Sequence, residues 1–213
     1  MVSPGQLAGK AVEQVQRVGI DGYGPLKGAE EVADEALKAA DGDPRKAEER
    51  LVRMHLRLAG SAGFITSVGG LITLPAAIPA SIGASYVLAA RLTASVAHLR
   101  GYDISSDDVR SAVLVTMLGS AGAEVLKDAG IEIGTKSLTA ALQKVPGTLF
   151  LQINKAVGYR LVTKGGTTGV INVGKLVPFV GGPIGAGAEV LAMRGVARYA
   201  KSNFPVLDAH SRG

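Results

Sequence analysis

The run from Leu58 to Ala90 holds thirty-three residues without a charged side chain, and it lies between two arginines. Much of it is glycine, alanine and serine, so another helix backbone can approach it closely. Pro75 and Pro79 stand in its middle, and proline interrupts an α-helix because it lacks the backbone N–H and clashes with the preceding turn. The run therefore predicts two apolar helices that meet at a proline corner.

The composition indicates a core built by close helix packing. Of the 213 residues, 47% are hydrophobic but only 4% are aromatic, and 29 are glycine. A chain of this length can bury a substantial core and no Pro/Ser-rich linker divides it, so we expect one domain over residues 1–213. The absence of cysteine excludes disulfides and thiolate metal sites. The first residues lack the pattern of a secretory signal, which makes a cytoplasmic location the default.

Apolar residues recur at helical spacing along most of the chain. Residues 1–57 carry amphipathic helices, the third of which has Asp43 as its N-cap and Pro44 at its first position. Ser105 is the predicted N-cap of the helix that follows the apolar run. Residues 165–177 combine four glycines with β-branched valines, so propensity leaves helix and irregular structure open. The predicted helices are Gln6–Gly19, Ala29–Ala40, Pro44–Ala59, Arg57–Leu74, Pro79–Arg100, Ser105–Asp128, Lys136–Val145, Pro146–Lys164 and Gly181–Ser202.

A second small-residue segment, VPFVGGPIGAGAEVLAMRG from Val177, echoes LPAAIPASIGASYVLAARL from Leu74. Each has a proline before a helix of small residues and an arginine about sixteen residues after that proline, at Arg91 and Arg194. A duplication would explain the echo, and so would the general use of the same small residues in close-packed helices. We expect an all-α fold of about eight helices, with two proline-cornered, Gly/Ala-rich hairpins at the buried centre and the N-terminal helices around them.

Several segments carry a more specific signal than composition does. They are HLRLAGSAGF (His55–Phe64), GGLITLPAAIPA (Gly69–Ala80), the Gly101-Tyr102-Asp103 stop, VPFVGGPIGAGAE (Val177–Glu189) and RGVARYAKSNF (Arg194–Phe204). With them the chain resembles the EcsC protein family over about residues 51–204. The resemblance implies a bacterial, mainly helical domain of unknown function, with a suspected membrane or lipid connection. The family's founding member is encoded beside an ABC transporter, which makes such a transporter a candidate partner. The family supplies no agreed catalytic residues.

The stretch from Ile133 to Ala188 contains no Asp or Glu but six basic residues, so it is basic without local compensation. Such a surface favours phosphate or an anionic leaflet, at about 1 kcal/mol per basic residue near the lipid. We do not expect nucleic acid, because no base-stacking aromatics are interleaved with the cations. A solvated basic face without a ligand is the other interpretation. The basic residues in question are Lys136, Lys144, Lys155, Arg160, Lys164 and Lys175.

Three charges stand inside small-residue helices: Arg91, Glu189 and Arg194. If the hairpins pack together, Arg91 can pair with Glu189, because an unpaired buried charge costs several kcal/mol. In the alternative interpretation, one of the arginines binds a carboxylate or phosphate head group through its planar fork of donors. The two interpretations predict different neighbours for Arg91.

The function favoured by these patterns is non-enzymatic binding of an amphiphile, such as a fatty acid or a phospholipid. Its tail would lie between the hairpins, and its head group would meet Arg91, Arg194 or the basic surface of Lys155, Arg160, Lys164 and Lys175. Peripheral association with anionic lipid at the inner face of the cell membrane follows from the same chemistry. We expect no cofactor.

A membrane-inserting hairpin that partners a transporter is the first alternative. The apolar run exceeds the roughly 20 residues that span a bilayer. However, its serine, threonine and glycine content is high, and no Trp/Tyr belts flank it.

A lipid ester hydrolase is the second alternative, with Ser61 and His55 as the weak catalytic candidates. Ala59-Gly-Ser-Ala-Gly63 imitates a G-x-S-x-G elbow, but the first glycine and the preceding strand are missing. The simpler interpretation of Ser61 is a small residue that packs between helices. The simpler interpretation of His55 is a residue that caps the polar side of its helix. The three histidines show no zinc-site spacing, so no metal is predicted.

Overall fold

A computed structural model describes residues 3–61, 80–131, 138–142, 146–173 and 181–207. These residues form α-helices joined by turns and contain no β-strand beyond an isolated bridge between Tyr23 and Leu26. The all-α fold class predicted from the sequence is confirmed. A π-helical turn, Gln16–Ile20, extends the first helix. The helices are α1 Pro4–Val15, α2 Ala29–Lys38, α3 Pro44–Gly60, α4 Ala80–Leu99, α5 Asp107–Met117, α6 Ser120–Asp128, α7 Leu138–Leu142, α8 Gly147–Val173 and α9 Gly181–Asn203.

The two proline corners lie outside the described residues. Pro75 and Pro79 fall between α3 and α4, and Lys175 and Pro178 fall between α8 and α9. The arm predicted over Arg57–Leu74 is described only as far as Ser61. The second arms of both predicted hairpins are α4 and α9, and these two helices pack against each other.

Helix α4 lies at the centre of the molecule. Residues 87–97 are all buried, including the polar side chains of Arg91, Thr93 and Ser95. A helix that is buried on every side needs neighbours all round. Helices α1, α2, α3, α5 and α9 and the π-helical turn supply these contacts.

The other helices bury one stripe each. Helix α1 lies along α8, and α9 buries Met193, Val196, Ala197 and Ala200 while its opposite face is exposed. Helices α2 and α3 form an antiparallel pair with a small apolar core of their own, separate from the main core. Asp43 accepts hydrogen bonds from the backbone N–H groups of Arg45 and Lys46 and Pro44 is the first residue of α3, which confirms the predicted start of that helix.

The predicted helix from Ser105 to Asp128 is wrong in two details. Its N-cap is Ser106, because the Asp103 carboxylate accepts hydrogen bonds from both the backbone N–H and the hydroxyl of Ser105. Its continuity is broken at Gly119, which has φ of 61° and separates α5 from α6. This left-handed conformation is easily adopted by glycine and ends the helix there.

Helix α8 answers, for residues 165–173, the question that propensity left open over residues 165–177. It begins at Gly147, one residue after the predicted start, and continues through Val173, so the predicted end at Lys164 is wrong and residues 165–173 are helical despite three glycines. Residues 174–177 lie outside the described residues. Helix α9 matches its predicted bounds to within one residue at its end.

Candidate functional site

A cavity of about 670 Å³ opens between α2, α3 and the loop of residues 25–27, and we name it the α2–α3 cleft. This volume lies within the range of about 300–1,000 Å³ that is typical of small-molecule sites. The wall of the cleft is largely apolar. Its apolar side chains include Leu26, Val32, Ala36, Leu51, Met54 and Leu58.

The packing of α2 against α3 gives the cleft a firm wall. Val32, Ala36 and Leu51 line the cleft and also belong to the small core between the two helices, with exposed fractions of 8% or less. Because these side chains are held on their inner side, the cleft does not depend on loose surface residues for its shape.

Arg91 brings a positive charge into this apolar wall. It comes from the central helix α4, lines the cleft and is only 7% exposed. Its Nε donates a hydrogen bond of 3.4 Å to Nε2 of His55. Burial lowers the pKa of the Arg91 guanidinium, but arginine remains charged in proteins.

His55 is fully buried on α3 beneath the cleft wall. Its Nδ1 lies 2.9 Å from the carbonyl oxygen of Leu51. A carbonyl only accepts and a guanidinium only donates, so we assign the proton to Nδ1, which leaves Nε2 to accept from Arg91. Burial and, second, the charge of Arg91 lower the pKa of His55 to about 3, so its ring is neutral at neutral pH.

Charged side chains mark the mouth of the cleft. Lys27 forms ion pairs with Glu35 and, at 3.4 Å, with Glu31, and the hydrogen bond that its ammonium donates to Glu35 raises the pKa of Lys27. Lys27, Glu35 and the exposed Arg50 all line the opening. The cleft thus has charges of both signs at its rim and the Arg91 guanidinium in its wall.

Ser61 also lines the cleft, but His55 is not hydrogen-bonded to its hydroxyl and so is not placed to act as its general base. It is the C-cap of α3, and its hydroxyl donates a hydrogen bond of 3.1 Å to the carbonyl of Leu58. Both ring nitrogens of His55 are engaged elsewhere, with Leu51 and Arg91. The exposed polar cap expected of His55 is therefore wrong, since its ring is buried.

Arg91 and Glu189 do not form the predicted ion pair in the described part of the chain. Glu189 is exposed on α9 and accepts a hydrogen bond of 3.0 Å from the hydroxyl of Ser85, whereas Arg91 meets His55. Arg194 is exposed on α9 and does not line the cleft. Of the three predicted head-group residues, the cleft contains Arg91 alone.

An acidic side chain neutralises the charge of one residue of the predicted basic surface. Lys155 is exposed on α8, but Arg160 forms an ion pair of 2.8 Å with Glu124 of α6. Glu124 precedes residues 133–188, so the charge balance within that stretch does not include it. The side chain of Lys164 and all of Lys175 lie outside the described residues.

One group of side chains in the described part of the chain could hold a metal ion. Glu30 and Asp34, one turn apart on α2, meet His98 of α4, and one ligand atom from each lies within 4.8 Å of the others. The spacing of residues in the sequence does not indicate this group, because the histidine comes from a different helix. Glu30 and Asp34 are exposed, and the contact of 3.1 Å between Nε2 of His98 and the Asp34 carboxylate is also explained by an ordinary side-chain hydrogen bond.

Within the described ranges, no helix combines the length and the apolar character needed to cross a membrane. The hairpin on which the membrane-inserting alternative depends lies largely in residues 62–79, outside these ranges. No protein-family model, curated protein or solved structure matches the chain. The resemblance to the EcsC family stays a prediction.

Proposed function

We propose that the protein binds an amphiphilic ligand of the fatty-acid or phospholipid class in the α2–α3 cleft. The observation that carries this proposal is the buried guanidinium of Arg91 in a largely apolar wall. A ligand with an apolar tail and an anionic head matches both parts of that wall.

The two parts contribute different terms to binding. Burial of the tail against Leu26, Met54 and Leu58 is favourable by roughly 25 cal/mol for each Å² of apolar surface removed from water. The head group would gain a charge-assisted hydrogen bond from Arg91 in a site of low dielectric constant. The predicted EcsC resemblance, with its suspected lipid connection, points to the same class of ligand. This placement moves the ligand from between the hairpins, as expected from the sequence, to the α2–α3 pair.

Native mass spectrometry of the purified protein tests the proposal directly, followed by denaturation and identification of any released ligand. A bound fatty acid or phospholipid supports it. If the extract is clean, titration with a fluorescent fatty acid decides, and the absence of saturable binding would refute the proposal.

A blocking variant places the site. Ala39 lines the cleft and is exposed, so Ala39→Trp should fill the opening without disturbing the core. Ala123→Trp, an equal change at an exposed position on α6, is the matched control. Binding that is weakened by Ala39→Trp and kept by Ala123→Trp assigns the ligand to the cleft, and equal binding by both variants argues against this location.

We propose peripheral association with anionic membranes as a second function, favoured by the exposed face of α9. Leu191, Arg194 and Arg198 are exposed and share that face at a spacing of three and seven residues. An apolar residue flanked by cations is suited to a surface of anionic lipid. This stripe differs from the basic surface predicted around Lys155.

Co-sedimentation with phosphatidylcholine vesicles, with and without phosphatidylglycerol, tests the second function. Arg194→Gln with Arg198→Gln should abolish any binding that depends on phosphatidylglycerol. The same change of charge at exposed Lys38 and Lys127 is the control. Equal loss in both double variants would indicate a general effect of net charge and not a site on α9. Partnership with a transporter stays a prediction.

A further inference from the structure

We infer that the protein exchanges its amphiphile directly with anionic membranes, because the mouth of the α2–α3 cleft adjoins an arginine-rich surface shared by α3 and α9. This inference rests on both proposed functions and joins them. The cleft holds the amphiphile, and the membrane on the neighbouring surface delivers or accepts it.

Helices α3 and α9 lie side by side, and both pack on the central helix α4. They run antiparallel. Lys201 of α9 pairs at 2.9 Å with Glu48 of α3, and at the other end a Cβ on Gly60 would lie 3.2 Å from Cγ2 of Val190. The two helices thus stay together over about three turns. Their faces turned away from α4 form one continuous outer surface.

Four arginines lie on this outer surface, and we name them the arginine surface. Arg50 and Arg57 are two turns apart on α3, and Arg194 and Arg198 are one turn apart on α9. All four side chains are exposed, so they point away from α4. Within the described ranges, none of the four forms an ion pair. Their charges are therefore available to an anionic partner.

The acidic side chains exposed on the same two helices do not cancel this charge. Glu49 of α3 pairs with Arg53 at 3.4 Å, and Glu189 of α9 accepts a hydrogen bond from Ser85. Leu191 of α9, which is 65% exposed, adds an apolar side chain. Cations around an exposed leucine fit a bilayer of anionic lipid, because each basic residue near an anionic leaflet is favourable.

The mouth of the cleft adjoins the arginine surface at Arg50. This side chain belongs to both, because it is exposed and also lines the cleft. Met54 and Leu58 follow it along α3 at a spacing of four residues and line the apolar wall. On the opposite rim, the carboxylate of Glu35 is paired with Lys27. A bilayer on the arginine surface therefore lies against the point at which the apolar wall begins.

Direct contact lowers the main barrier to the exchange of an amphiphile. An acyl chain that leaves the cleft through water exposes its whole apolar surface, and each CH₂ group makes that step less favourable. A chain that passes from the cleft mouth into a bilayer held against it exposes less of that surface. Exchange should therefore occur while protein and membrane are in contact.

The experiment measures by stopped flow the transfer of a fluorescent hexadecanoate from the loaded protein to phosphatidylcholine vesicles that contain a quencher. The rate should rise in proportion to vesicle concentration. With phosphatidylglycerol in the vesicles it should be at least about tenfold faster, a gain smaller than four arginines can supply near an anionic leaflet. Raising the salt from about 0.1 M to about 1 M should remove this gain, because charges are then screened within about 3 Å.

Two double variants locate the contact. Arg57→Gln with Arg198→Gln removes one cation from each helix, and neither residue lines the cleft. Transfer to phosphatidylglycerol vesicles should slow at least about threefold, while the affinity of the cleft for the fluorescent ligand in solution is kept. Lys10→Gln with Lys127→Gln makes the same change of charge at exposed positions on α1 and α6 and should keep the wild-type rate. Equal slowing in both pairs overturns the role of the arginine surface.

Equilibrium measurements separate direct exchange from the two proposed functions. If the fluorescent ligand does not bind saturably, the cleft proposal fails and direct exchange falls with it. If the protein does not sediment with phosphatidylglycerol vesicles, the membrane proposal fails, with the same consequence. If both kinds of binding occur but the transfer rate does not depend on vesicle concentration, the ligand leaves through water, and direct exchange alone is overturned.

Discussion

Arg100 donates a hydrogen bond of 2.7 Å from Nε to the carboxylate of Glu48, and this ion pair joins the end of α4 to α3. The same guanidinium donates from Nη1 to the carbonyl oxygens of Lys201 and Phe204 at the end of α9. Helix C-termini leave carbonyl groups without intrahelical partners, and a cation there is favourable. One side chain thus ties three helices together.

Replacing Arg100 should destabilise the protein strongly. Its side chain and that of Glu48 are 14% and 13% exposed, so Arg100→Leu leaves a mostly buried carboxylate with Lys201 and strands two carbonyls. We expect the free energy of unfolding in denaturant to fall by about 2–3 kcal/mol. Arg53→Leu, which removes an exposed pair with Glu49 on α3, should cost no more than about 0.5 kcal/mol. Equal losses in the two variants would contradict this interpretation.

Phe204 should be the apolar anchor of the same junction. It is fully buried, and its ring meets that of Tyr102 edge-on with centroids 5.2 Å apart. Phe204→Ala should therefore lower the free energy of unfolding by about 3–5 kcal/mol. Val206, two residues on, is 68% exposed, and Val206→Ala should change stability by less than about 0.5 kcal/mol. A small effect of Phe204→Ala would show that α9 is not held at this point.

His55 should make the protein sensitive to acid. Its pKa falls from 6.5 to about 3 on folding, because burial and the charge of Arg91 disfavour the imidazolium. The unfolded chain therefore binds a proton that the folded protein excludes. The contribution of neutral His55 to stability is complete above about pH 6.5 and is lost as the pH falls toward about 3, at up to about 1.4 kcal/mol per pH unit.

Denaturant unfolding of the wild type and of His55→Gln between about pH 7 and about pH 4 measures this contribution. The stability of the wild type should decline more steeply than that of the variant over this range. Parallel curves for the wild type and His55→Gln would mean that the buried ring accepts a proton in the folded protein.

Most of the helices could be predicted from the sequence because their signals are local. Asp43 and Pro44 fix the start of α3, and the apolar spacing within Ala29–Ala40 fixes α2. The break at Gly119 was missed because a single glycine in a periodic pattern does not reveal its φ angle.

The candidate site was predicted only in part, because its contacts join distant helices. Arg91 was recognised as a charge in an apolar helix, but its partner, His55, lies thirty-six residues away. The same reason explains why Glu124 was missed as the partner of Arg160. The cleft itself was missed because Val32 and Met54 have the same helical spacing whether they pack in a core or line a cavity.

Glycine should allow α1 and α8 to approach each other closely, as the small-residue composition indicated for helices of this chain. A Cβ on Gly158 of α8 would lie 2.4 Å from the carbonyl oxygen of Ala8 on α1, so Gly158→Ala forces the two backbones apart. We expect the free energy of unfolding to fall by about 1–3 kcal/mol. A Cβ on Gly195 of α9 meets no atom within 4 Å, and Gly195→Ala should raise stability by about 0.5–1 kcal/mol because alanine favours the helix. Opposite signs for the same substitution would show that α1 and α8 depend on this close contact, and a gain in both variants would show that they do not.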